Sequence, residues 1–185
     1  MDAGRDKIVA AAIELLEGDD DEPFSIDAVA RRAGVARMTI YNQFESKAGL
    51  LEDLFDVLAH GVLSQMSDIF HDPSPDVAFD RFISLFATFW TTNRGVHRKL
   101  RAAAIHDEDL DAAIASRNDR RRYGIAALVK RIAKERKLPL SKDETIDVLF
   151  VLLSYDTFDT LAGVNRTPED VVPVIRRLVR LVTGA

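Results

Sequence analysis

Residues 34–55 read GVARMTIYNQFESKAGLLEDLF, and only Val35, Ile40 and Phe44 in the first eleven of them are apolar anchors for a helix of barely two turns. Just upstream, FSIDAVARRA at 24–33 has the signals of another short helix. Ser25 is placed to cap it, Phe24 to reach Val29 as a hydrophobic staple, and Asp27 to complement the helix dipole. Ile26, Val29, Ala30 and Ala33 recur on one face, which predicts a helix over about Ile26 to Ala33. Gly34 supplies the left-handed residue that closes it. A third helix, about Ala36 to Asn42, follows after a minimal turn, and two short helices joined so tightly through glycine form a helix-turn-helix pattern.

The spacing fixes which side chains face outward. With Ile40 turned inward, 100° per residue carries Met38 and Asn42 to the far side and leaves Arg37, Thr39 and Tyr41 at its margins. Arg, Asn and Gln make paired hydrogen bonds to base edges in a major groove, where a Met or Thr methyl meets the thymine methyl. Thr39, Tyr41 and Lys47 suit phosphates, which set position and carry no sequence information directly. Ser46 is expected to cap the next helix, so amides near Lys47 also face a phosphate.

FSIDAVARRAGV at 24–35 and TIYNQFESKAGLL at 39–51, behind an amphipathic first helix, resemble the DNA-binding domain of the TetR (tetracycline-repressor) family of transcriptional regulators. The likeness covers residues 4–55. It implies backbone contacts by Thr39, Tyr41 and Lys47, base-edge positions for Arg37, Met38, Asn42 and Gln43, and core roles for Ile40 and Phe44. Ala36 departs from the pattern where a capping Ser or Thr is common. Gly49 departs too, lying inside the fourth helix at a cost of about 0.5–1 kcal/mol relative to Ala.

Composition bounds the rest. A chain of 185 residues, 47% hydrophobic, can bury a substantial core. It has no cysteine, so no disulfide or zinc–thiolate chemistry arises. The N-terminus shows no apolar signal segment, and the longest apolar run, VLFVLL at 148–153, is far short of the roughly 20 residues a membrane span needs. The expected address is cytoplasmic, with no membrane partner. A net charge of −5 argues against a polyanionic partner only as a total. Residues 24–47 hold four basic side chains against two acidic, a net of +2, while Glu17, Asp19, Asp20, Asp21 and Glu22 concentrate acid before them.

Helical periodicity continues to the C-terminus. Helices are expected at about Gly4 to Leu16, then onward from the fourth to about Phe70, and over Pro75 to Thr92, Val96 to Ile105, Leu110 to Arg136, Lys142 to Gly163 and Pro168 to Thr183. Ser141 with Glu144 makes a capping box, and Pro173 is expected to bend the last helix near its start. The fold class is all-α with about nine helices, a three-helix DNA-binding domain over 1–50 and a ligand-binding and dimerisation domain over 51–185. Apolar residues on the last two helices exceed one face each, which points to subunit association. The TetR resemblance implies a homodimer whose last two helices pair with their counterparts, and Val151, Phe158, Ile175, Leu178 and Val182 are the interface candidates.

Phe82, Phe86, Phe89 and Trp90 follow helical spacing, with Phe150 and Tyr155 later. Plain core is the simpler account of that stripe. The resemblance implies instead an effector cavity in these helices, which an aromatic, mostly apolar lining would suit. From 117 to 137 nine basic residues face two acidic ones, a net of +7, read as a solvated face whose stems lie over apolar neighbours. His60, His71, His97 and His106 form no metal or catalytic pattern, and the HDED cluster at 106–109 complements a helix start. No cofactor, metal or enzymatic activity is expected. The expectation is a ligand-responsive repressor binding a palindromic double-stranded operator as a homodimer, released by a small apolar effector. The rival is a helical small-molecule-binding or scaffold protein whose helix-turn-helix is only structural.

Overall fold

The computed structural model describes residues 3–18 and 22–185, so Asp19, Asp20 and Asp21 of the acidic run lie outside the described residues. Among these residues the chain is all helical: α1 (Ala3–Glu17), α2 (Ile26–Ala33), α3 (Arg37–Phe44), α4 (Lys47–His71), α5 (Pro75–Thr92), α6 (Arg94–Ala104), α7 (Glu108–Glu135), α8 (Lys142–Leu152), α9 (Tyr155–Ala162) and α10 (Val172–Thr183), with a 3-10 turn at Glu169–Val171. They fall into two compact units, one of Met1–Ala59 with Asn93–Ser116 and one of His60–Thr92 with Arg117–Ala185.

The first unit begins with the local signals. Ser25 Oγ accepts the Ala28 N–H at 3.2 Å, and Gly34 sits at φ 64°, its N–H directed to the Ala30 and Arg31 carbonyls. The Val35 N–H returns to the Ala30 carbonyl at 3.0 Å, closing α2 with the paired bonds of a Schellman turn. Ile8, Ala12, Leu15, Val29, Ile40, Leu50 and Leu54 build one continuous core. Val96 and Leu100 of α6 and Leu110 of α7 join it. Asp107 stands before α7, where its Oδ1 accepts the Leu110 N–H at 3.2 Å, and Glu108, Asp109 and Asp111 fill the first turn. The acidic cluster thus caps a helix.

In the second unit α5 is buried through Phe79, Phe82, Ile83, Phe86 and Trp90 against Ile125 and Leu128 of α7, Leu149 of α8, Phe158 of α9 and Ile175 of α10. The single helix expected over Lys142 to Gly163 is divided. Leu153 and Ser154 leave the helix, and Ser154 Oγ then accepts the Thr157 N–H at 3.2 Å as the cap of α9. The Val151 carbonyl, released from the ladder, receives the Ser154 and Thr157 hydroxyls at 2.8 and 2.6 Å. Pro173 falls in the first turn of α10, where its missing N–H costs nothing, and the 3-10 turn precedes it. The capping box at Ser141 and Glu144 forms as expected and holds the Glu144 carboxyl below its ordinary range, through the Ser141 hydroxyl first and its N–H second.

Three arginines of the basic run on α7 and just beyond it are engaged in the second unit. Arg122 pairs with Asp147, and Arg131 donates to the carbonyls of Phe70 and Asp72. Arg136 grips both oxygens of Asp76, at 2.8 and 2.6 Å, and the Thr183 carbonyl at 2.9 Å, which ties the start of α5 to the end of α10.

Candidate nucleic-acid interface

α3 is held by two side chains and shows the rest to solvent. Ile40 is 0% exposed and Phe44 is buried, whereas Met38 is 65% exposed, Arg37 and Asn42 are exposed, and Thr39, Tyr41 and Gln43 are half-buried. That distribution is the one a helix of 3.6 residues per turn produces when Ile40 marks the inner face. The third helix reaches Phe44, two residues beyond the expected end, so Gln43 lies within it. Ala36 adopts extended backbone at the N-cap with no side-chain hydrogen bond to the first amides of α3. Those amides and the positive end of the helix dipole suit an anion.

Arg37 is preset. Its Nη1 lies 3.2 and 3.0 Å from the two oxygens of Asp27, its Nη2 lies 3.3 Å from the Tyr41 hydroxyl, and its guanidinium stands 5.6 Å from the Tyr41 ring centroid. The Tyr41 hydrogen bond first, and the Asp27 charge after it, hold Arg37 above its ordinary value and so fully cationic. Lys47, the first residue of α4, pairs with Asp107, and both side chains are largely covered.

The joint between α3 and α4 is tight. Glu45 has φ 63° and ψ −36°, and the Ser46 N–H bonds to the Phe44 carbonyl at 2.7 Å, a γ-turn of the strained hand. Such a residue costs on the order of 1–3 kcal/mol and persists only where its surroundings over-determine it. Gly49 shows what does so. A Cβ built there would stand 2.2 Å from the Phe44 carbonyl oxygen, so the glycine that departed from the family pattern is what lets α4 close over the end of α3. From α1, Arg5 adds a brace: it binds the Asp53 carboxylate, donates to the Gln43 carbonyl, and lies 4.5 Å over the Phe44 ring. Ser46 Oγ accepts the Gly49 N–H at 3.1 Å, the expected cap of α4.

Arg5, Asp107 and the pairing of Asp27 with Arg37 were not visible in the sequence. Their partners lie 48, 60 and 10 residues away, and no local periodicity marks such contacts.

The other candidate residues lie in the second unit. Phe82, Phe86, Trp90 and Tyr155 are buried in one aromatic chain, with centroids 4.8 Å apart for Phe82–Phe86, 5.6 Å for Phe86–Trp90 and 5.8 Å for Trp90–Tyr155. Phe89 is 4.8 Å from Trp90. Phe150 joins through Arg121, a 6% exposed residue whose guanidinium lies 4.7 Å from the Phe150 ring and 5.9 Å from that of Trp90. Of the interface candidates, Val151 is 61% exposed and Leu178 and Val182 are partly covered, while Phe158 and Ile175 are 0% exposed and serve the core of their own unit. On these two helices, Val174 and Leu181 of α10 and Val148 beside Val151 of α8 are exposed apolar residues.

A short helix locked by its inner face, with arginine, methionine and asparagine outward, stands as the second helix of a helix-turn-helix. Residues 8–54 match the family model described as bacterial regulatory proteins, tetR family. The nucleoid occlusion factor SlmA of Aliivibrio fischeri (strain MJ11) is 28% identical over 145 residues, 77% of this chain and 73% of that protein. Among solved structures, the fatty acid degradation regulator FadR from Bacillus halodurans superposes with TM-score 0.74 at 16% identity, over 97% of this chain and 95% of that one. FadR from Bacillus subtilis, solved in complex with stearoyl-CoA, gives 0.72 at 18% identity, over 97% and 98%. The likeness to the tetR family is thus carried in sequence by residues 8–54, and the solved structures share the fold of the whole chain. No helix of the described residues is long and apolar enough to cross a membrane.

Proposed function

We propose that the chain is a ligand-responsive repressor that binds a partly palindromic operator as a homodimer. The observation that carries this reading is the orientation of α3, with Ile40 wholly inward and Arg37, Met38 and Asn42 outward. Each subunit sets α3 in a major groove, with half-sites one helical turn or a multiple apart, roughly 34–36 Å per turn. Arg37, Met38, Asn42 and Gln43 read base edges; Thr39, Tyr41 and Lys47 hold phosphates. The exposed apolar residues of α8 and α10 support association through those helices. The aromatic cluster around Trp90 supports an effector site in the second unit for a small, mostly apolar molecule. Such an effector acts by binding more tightly to the subunit arrangement that does not fit the operator.

The test is binding to duplexes covering the DNA upstream of the chain's own gene, with wild type, Arg37→Ala and Tyr41→Phe. Arg37→Ala is expected to change the ranking of base substitutions at one operator position, by about 1–3 kcal/mol. Tyr41→Phe is expected to weaken all sequences alike. Equal, sequence-blind losses from both would defeat the division of roles, and no salt-dependent affinity for any duplex would defeat the reading.

The likeness to nucleoid occlusion factors extends over 77% of the chain and favours a second reading, a chromosome-bound factor of that kind. Mapping bound sites across the chromosome separates the two. One site beside the chain's own gene fits a repressor, and many dispersed sites fit the alternative.

A further inference from the structure

Lys47 is the side chain best placed for a phosphate at the start of α4, yet its ammonium already has an anion. Asp107 pairs with it, and the two side chains are only 19% and 18% exposed. Asp107 is itself fixed: Oδ2 faces Lys47 while Oδ1 caps α7 through the Leu110 N–H. A cation in the first turn of a helix opposes the macrodipole, and α4 has no acidic residue of its own there. The neutralising charge is supplied from the α6–α7 turn, 60 residues away in sequence.

We propose that Asp107 is a determinant of DNA affinity, an internal competitor that occupies the phosphate-binding ammonium of Lys47. This rests on the assignment of Lys47 to a phosphate in the reading above. A lysine bound to a carboxylate presents a nearly neutral pair to the approaching backbone, and it releases fewer counterions than an uncommitted one. The phosphate must share or displace Asp107, and the carboxylate left nearby repels it. Asp107 thereby keeps the sequence-independent part of binding low, which makes recognition depend more on the base-edge residues of α3.

The experiment measures affinity for a random-sequence duplex of about 30 base pairs by fluorescence anisotropy between about 50 and 200 mM salt, the range in which phosphate contacts dominate. Asp107→Asn keeps a good capping side chain for α7 and removes the charge. It is expected to tighten binding by about three- to tenfold at the low-salt end and to steepen the log–log salt slope by up to about 0.9 per subunit contact. Lys47→Ala is expected to weaken binding and flatten the slope. In the Lys47→Ala background, Asp107→Asn is expected to give a clearly smaller gain, since only the carboxylate's repulsion of the phosphate is then relieved, and helical content and thermal midpoint check that each variant folds. Unchanged or weaker binding by folded Asp107→Asn would overturn the proposal, as would an equal gain with and without Lys47, because a change of net charge alone would then explain it. If Lys47→Ala leaves the slope of wild type unaltered, the phosphate role of Lys47 fails and the proposal falls with it. A normal Lys47→Ala result with a silent Asp107→Asn removes the proposal alone.

Discussion

Gly49 reverses its sequence-based meaning once the Phe44 carbonyl is in view. A glycine inside a helix costs about 0.5–1 kcal/mol against alanine, so propensity alone predicts that Gly49→Ala stabilises. The 2.2 Å approach of a built Cβ to a backbone oxygen decides otherwise, because a carbonyl at the end of a packed helix cannot swing aside as a side-chain tip does. Gly49→Ala is expected to lower unfolding free energy by about 1–3 kcal/mol, as overpacking does. Denaturant unfolding checks it, and a midpoint at or above that of wild type would show that the joint relaxes freely. At this scale the sequence was informative where the interaction is local. Ser25, Gly34, Ser141 and Ser46 were read correctly because a cap and its amides lie three or four residues apart. Arg5 and Asp107 were not, because their partners are set by packing.

Among the elements, α3 was legible because a helix with two anchors leaves no choice of face. Ile40 and Phe44 are four residues apart, one above the other, which turns Arg37, Met38 and Asn42 outward and leaves Thr39, Tyr41 and Gln43 at the margins. The second-unit helices were harder. The run from Val148 to Leu153 is apolar enough to be buried in either a continuous or a broken helix, so the break at Leu153–Ser154 left no trace in periodicity. Only the Ser154 side chain, capping α9 instead of facing solvent, reveals it. Leu181, on α10, is 68% exposed and contributes little to its own unit's core. Leu181→Glu is therefore expected to leave the subunit folded while shifting it to monomer in sedimentation and weakening operator binding with it. A dimer that survives this change would place the subunit contact elsewhere.

For the molecule as a whole, charge pairing adds acid sensitivity to the second unit. The Arg136 hydrogen bonds hold the Asp76 carboxyl below its ordinary range. A carboxyl whose folded value is depressed contributes stability that is complete above its unfolded value and is lost as pH falls through the folded one. Wild type is thus expected to lose its thermal advantage over Asp76→Asn as pH drops from about 5 to below about 3. A constant difference in midpoint across that range would contradict the assignment. The resemblance to the TetR family was carried by the motif at residues 24–51, whereas the all-α class was readable from helical periodicity along the whole chain. The inclusion of Val96, Leu100 and Leu110 in the first unit's core was not readable, since their spacing suits any amphipathic helix. The closure of α4 over α3 also has a mechanical meaning. With Glu45 strained, Gly49 pressed on Phe44 and Arg5 bracing Gln43 and Asp53, the short helix has no swivel of its own. Any rotation of the first turns of α4 is delivered to it without play, as a shaft turns a key.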